Sequence, residues 1–161
     1  MVASQSAPDN DAEAMVGALL TASRLLVAVS ARSLAAVEES LTLPQFRMLV
    51  ALHTRGPLSL SALAAELDVQ PSTAMRMIDR LVAVSMVERG TVPHDRRTTL
   101  ISLTAAGRRT VTEATERRRK EIARIVEAMP AVRRRELLKA LHAFTEAGSE
   151  PSVSAGAVPV W

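Results

Sequence analysis

The chain has 161 residues, 48% of them apolar, 2% aromatic and none of them cysteine. That length buries one sizeable core and is short for two, and the missing thiols exclude disulfides, thiolate zinc sites and thiol-based redox sensing. The net charge of +3 is mild, but residues 71–120 hold 11 basic against 5 acidic side chains, where the stretch before them holds 4 against 7 and the stretch after them 5 against 5.

Residues 1–11 are rich in Ser, Ala, Asp and Pro and are expected to be disordered. Asp9, Asp11 and Glu13, with no basic residue before Arg24, are wrong for a secretory leader. The longest uninterrupted apolar run, Leu25 to Val29, is too short to span a bilayer, so no membrane association and a cytoplasmic location are expected. Residues 12–38 read as one long helix, apolar on more than one face through Met15, Leu19, Leu20, Leu25, Leu26, Val29, Leu34 and Val37. A helix wet on one side shows a cleaner stripe; the surplus apolar surface points to a dimer contact.

Residues 39–104 form the next unit. Thr42-Leu43-Pro44-Gln45 has capping-box spacing and opens a helix through Phe46, Leu49, Val50 and Leu52 that Gly56-Pro57 ends. Ser59 caps a short helix through Leu60–Leu67, a turn follows at Asp68-Val69-Gln70, and Pro71 occupies the first position of another helix, where its missing N–H costs nothing. Ala64 is small enough for two helices to cross on it, and Asp68 tolerates positive φ. On a 100° wheel Ala74, Met77, Ile78, Leu81 and Val82 share one face, which packs inward, while Ser72, Thr73, Arg76 and Arg80 look out. Two short β-type runs, Val87-Glu88-Arg89 and Leu100-Ile101-Ser102-Leu103, flank the polar residues Thr91 to Arg97, with Pro93 at the tip. The sum is a winged helix-turn-helix.

Charged helix faces ordinarily mean solubility alone. Here the preceding helix and the following hairpin put the outward face where a major groove would lie, and Ser, Thr and Arg suit phosphates and guanine edges. Asp95 and Arg97 fall on one side of an extended strand, so the carboxylate could order the guanidinium for a minor groove; the bland alternative is an ordinary exposed pair. With aromatics so scarce, no platform for stacking unpaired bases exists, and duplex DNA is the expected nucleic acid.

Thr104 caps a long helix to about Met129, charged all round at residues 116–121, and Pro130 starts a last helix with Leu137, Leu138, Leu141 and Phe144 at 3–4 spacing. Residues 105–147 therefore read as connector and dimerisation helices, and 148–161 as a flexible tail. No Gly-x-Ser-x-Gly, phosphate-binding glycine loop or His-Glu-x-x-His is present. His53, His94 and His142 lie on separate elements without ligand spacing, so neither an enzyme nor a metal or other cofactor is expected. The competing non-enzymatic reading is a winged-helix dimer that binds proteins without reading DNA.

The run from Gln70 to Leu81, then Met86-Val87-Glu88-Arg89, Pro93-His94-Asp95-Arg96-Arg97 and Leu103-Thr104-Ala105-Ala106-Gly107, resembles the MarR family of bacterial transcriptional regulators, over roughly residues 14–145. The resemblance implies a mainly helical, intertwined homodimer with a small hairpin wing, repressing transcription from a palindromic operator and released by a small effector, anionic or aromatic. By the same resemblance Ser72, Thr73, Met75, Arg76 and Arg80 would enter the major groove, and Asp95, Arg96 and Arg97 would form the wing contact. It also implies an effector cleft near the junction with the dimer region, for which Arg24, Met48 and His53 are the candidates. Three positions depart from the family pattern: Gln70 where Ser or Asp usually caps the recognition helix, Met75 where a small polar residue is common, and Ser85 in place of a glycine.

Overall fold

The computed structural model of the chain describes residues 7–92 and 95–148, and within them the side chains of residues 10–91 and 99–148. Six helices and three short strands follow one another as α1 (Ala7–Ala35), α2 (Leu43–Arg55), β1 (Leu58–Ser59), α3 (Leu60–Glu66), α4 (Pro71–Ala83), β2 (Val87–Val92), β3 (Asp95–Leu103), α5 (Ala105–Glu127) and α6 (Ala131–Ala147). The fold is mainly helical with a winged helix-turn-helix at its centre, as the sequence predicts.

The core gathers on α2, because that helix is apolar on nearly every side. Phe46, Met48, Leu49, Val50, Ala51 and Leu52 are all buried, and Leu63 of α3, Ile78 and Leu81 of α4, Ile101 and Leu103 of β3 and Val111 of α5 close around them. Each fully buried side chain of that size contributes about 1.5–3 kcal/mol of hydrophobic free energy. The helix ends are fixed locally. The Thr42 hydroxyl accepts the Gln45 amide while the Gln45 side chain accepts the Thr42 amide, the Ser59 hydroxyl accepts the Ala62 amide at 3.2 Å, and the Thr104 hydroxyl accepts the Gly107 amide at 3.0 Å.

Three features differ from the sequence reading. α1 begins at Ala7, inside the stretch expected to be disordered, since a proline as second residue is compatible with a first helical turn. The strands run longer than their β-forming residues, and Leu58–Ser59 joins them, giving a three-stranded antiparallel sheet in the order β1-β3-β2. Ladder hydrogen bonds extend pairing into polar residues that propensity alone would leave in the tip. Residues 116–121 are also less solvated than a stretch charged all round: Arg118 and Glu121 are half-buried, and burial holds the Arg118 guanidinium below its ordinary pKa.

The outer helices behave differently. On α1, Met15, Val16, Leu20, Leu25, Leu26 and Val27 are exposed, and burial begins only near Val29, where the helix reaches α2 and α5. On α6 no residue is buried, and Val132, Leu138 and Phe144 are each more than half exposed. The stretch Asn10–Ala35 contains an 18-residue window of mean hydropathy 1.8 and is long and apolar enough to cross a membrane, a property that counting uninterrupted apolar residues passes over. Arg24 sits near its middle, where a bilayer centre would impose about 2.5–3.5 kcal/mol, and its C-terminal end packs into the core.

Candidate nucleic-acid interface

The turn between α3 and α4 is closed by backbone geometry that its residues permit. Asp68 adopts φ +52°, the left-handed region its short polar side chain tolerates, and the Val69 amide donates to the Ala64 carbonyl at 3.0 Å. Leu63 and Ala64 from α3 meet Ala74 and Ile78 from α4, all buried. Gln70 is extended at φ −66° and ψ 143°, and its side chain makes no capping bond, as expected of a residue too long for that role.

With Ala74, Ile78 and Leu81 turned inward, Ser72, Arg76 and Arg80 lie on the exposed side of α4. Thr73 is half-buried on one shoulder, and Arg76 Nη2 donates to its hydroxyl at 3.5 Å. Met75 is 41% exposed on the other shoulder. All five recognition-helix residues singled out from the sequence therefore reach one side of one helix. The wing residues Asp95, Arg96 and Arg97 begin β3, but their side chains lie outside the described residues, as does His94. The ladder pairs Thr91 with Thr99 and then Val92 with Asp95, so residues 96–98 fall at a register shift beside the tip.

The structure adds two residues that sequence reasoning missed. Arg89 of β2 reaches back to α4, where it bonds Asp79 and approaches Met75 Sδ at 3.8 Å. This pair joins the wing to the recognition helix and neutralises the one carboxylate on that side of α4. Both partners are well exposed, 40% and 56%, so its worth to stability is small and its effect is positional. The signal was present only as an Arg following a short apolar run; nothing in the spacing of residues 79 and 89 shows that a turn brings them together.

The turn itself explains another motif. Ser85 takes φ +58°, the conformation a glycine would supply, and the Met86 amide donates to the Leu81 carbonyl at 2.9 Å. A Cβ on Gly107 would stand 2.1 Å from the Met86 carbonyl oxygen, and the Thr104 hydroxyl donates to the Ser85 carbonyl at 2.7 Å. The Leu103-Thr104-x-x-Gly107 run thus seats α5 against the end of α4 and fixes the two helices relative to one another.

A cleft of about 900 Å³ separates α4 from the sheet, lined by Ser61, Met75, Asp79, Arg89 and Thr99 among others. Of the residues proposed for an effector site, Arg24 is exposed and bonds Thr21, Met48 is fully buried in the core, and His53 is half-buried in the last turn of α2. They do not converge. An apolar cavity of about 160 Å³ lies instead between α1 and α2, lined by Val27, Ser30, Leu43, Phe46 and Arg47. Among the described residues no group of His and carboxylates could hold a metal.

A family model described as the MarR family matches residues 41–99, from the end of the α1–α2 connection through the wing. The structure is similar to the crystal structure of RV1404 from Mycobacterium tuberculosis at 51% identity and a TM-score of 0.78, covering 94% of this chain and 99% of that one. The chain belongs to the MarR family. It is also 34% identical over 74 residues to the uncharacterized HTH-type transcriptional regulator YhbI of Bacillus subtilis, a match over 46% of this chain and 48% of that protein. At 23% identity the YusO protein of Bacillus subtilis shares the fold, with a TM-score of 0.70 over 91% of this chain and 100% of its own. The chain thus spans about half the length of the curated relative it matches and nearly all of the solved ones.

Proposed function

We propose that this MarR-family chain is a DNA-binding transcriptional regulator that works as a homodimer on a palindromic operator. The observation that carries the reading is the outward side of α4. Ser72, Arg76 and Arg80 stand clear of the core on a helix held by α3 and the wing, and its only carboxylate, Asp79, is neutralised by Arg89. Hydroxyls and guanidinium groups so placed suit phosphate oxygens and base edges of a major groove. The name of the similar YhbI protein, an HTH-type transcriptional regulator, supports the class.

The dimer follows from the outer helices. α6 buries nothing within the chain and the first half of α1 buries almost nothing, though both carry large apolar side chains. A second copy interleaving the same helices would cover both at once and hold two α4 helices about 34–36 Å apart, one helical turn of DNA. Repression would follow from occupying a promoter. The small apolar cavity lined by Val27 and Phe46 suits a small aromatic molecule that would release DNA by favouring another spacing of the half-sites. Such a protein works in the cytoplasm, where its operator lies.

Fluorescence anisotropy with DNA upstream of its own gene tests this. Arg76→Ala and Arg97→Ala should each weaken binding, and each lost phosphate contact should reduce the salt slope by about one. Binding unchanged by both substitutions, or absent from the unaltered protein at low salt, overturns the reading.

A further inference from the structure

We infer that Met75 makes this protein selective for a 5-methyl group on a pyrimidine in the major groove, that is, for thymine at one defined position of each half-site. The inference rests on reading α4 as the helix that enters the groove, and it deepens that reading by naming what one side chain recognises. Among Ser72, Thr73, Met75, Arg76, Asp79 and Arg80 on the exposed side and shoulders of α4, Met75 alone offers no N–H or O–H donor and no strong acceptor.

It is nevertheless not drawn into the core. The inward positions beside it are filled by Ala74 and Ile78, both fully buried, while Met75 stays 41% exposed in the second turn of the helix. Its sulfur lies 3.8 Å from Arg89 Nη2, and that guanidinium is itself bound to Asp79 one helical turn further on. The thioether is thus steadied at the edge of α4 that faces the wing, on the rim of the cleft between them. In the major groove the one apolar feature on any base edge is the thymine methyl, and apolar side chains recognise it by contact. A methionine fits such a contact through polarizability and three rotatable bonds. Cytosine at the same position carries only a hydrogen at C5 and so gives the thioether no methyl to contact.

The test uses the full-length protein and a duplex it has selected from a random pool. Each thymine is replaced in turn by deoxyuridine, which lacks only the methyl, and binding is measured by anisotropy. At one symmetry-related pair of positions the unmodified protein should lose about fourfold in affinity per half-site, the factor expected for one buried methyl. Met75→Ala should bind the thymine and deoxyuridine duplexes equally, and Met75→Leu should keep the discrimination. Putting 5-methylcytosine in place of cytosine at that position should recover part of the lost affinity for the unmodified protein only. If Met75→Ala weakens every duplex equally and leaves the thymine-to-deoxyuridine ratio unchanged, Met75 only packs on Arg89 and the inference fails while the DNA-binding reading stands. If the unmodified protein selects no sequence, both fail.

Discussion

The centre of the molecule and its outer helices are built from similarly apolar sequence and end in opposite states. In α2, Phe46, Met48, Leu49 and Val50 are at most 1% exposed. In α6, Leu137, Leu138, Leu141 and Phe144 are between 38% and 55% exposed, though their 3–4 spacing is just as regular. Periodicity therefore shows that a helix has an apolar face, but not whose surface covers it. The winged helix-turn-helix closes its core with its own chain, whereas α1 and α6 carry surface that folding of one chain leaves wet.

The sharpest way to break this contrast is to charge the outer face. Leu141→Glu with Phe144→Glu removes no buried contact within the chain, so the monomer should keep its helical content. If α6 covers a second copy, light scattering should show a monomer, and the melting temperature should lose its dependence on concentration. Affinity for a two-half-site operator should fall about 10²–10⁴-fold, the gain that linking two binding modules provides. A variant that stays dimeric would place the dimer contact elsewhere.

The matching change at the centre should behave in the reverse manner. Ile78 is fully buried between α3 and the sheet, so Ile78→Ala should lower stability by about 2–5 kcal/mol in denaturant unfolding, by the same amount at every protein concentration tested. Gly107→Ala should cost a comparable amount. Its Cβ would stand 2.1 Å from a backbone carbonyl oxygen, which cannot turn aside as a side chain could, so α5 must shift bodily, and a loss at or above the upper end of about 1–3 kcal/mol is expected. Because α5 links the two regions, that variant should also change the separation of the α4 helices and weaken operator binding more than its stability loss explains.

What the sequence showed and hid divides along the same line. The helix-turn-helix was legible because each constraint is local: Pro71 at a first helical position, Asp68 at positive φ, hydroxyl caps at Thr42, Ser59 and Thr104. The Asp79–Arg89 link was not, since it depends on a turn at Ser85 bringing a strand back onto a helix. The effector candidates failed to converge for a related reason. Met48 falls on α2, whose faces are nearly all buried, and Arg24 lies on the half of α1 that leaves the core. Residue type and approximate height in the fold cannot distinguish a side chain that lines a cavity from one that fills the core.

The smallest effect separates stability from recognition within α4 itself. Gln70 has the extended backbone of an N-cap but makes no side-chain bond to the first turn, so Gln70→Ser and Gln70→Asp should each stabilise by about 1 kcal/mol, roughly 4 °C in melting temperature. The helix dipole should make Asp at least as stabilising as Ser. Operator binding should separate them, because the DNA contact proposed above puts the same end of α4 beside the phosphates. Asp places a negative charge there and should lower affinity in a salt-dependent way, whereas Ser should leave it unchanged or improve it. Equal affinities for the two variants at low salt would mean that the start of α4 stands away from the DNA backbone, and the reading surface would then have to be shifted towards Arg80.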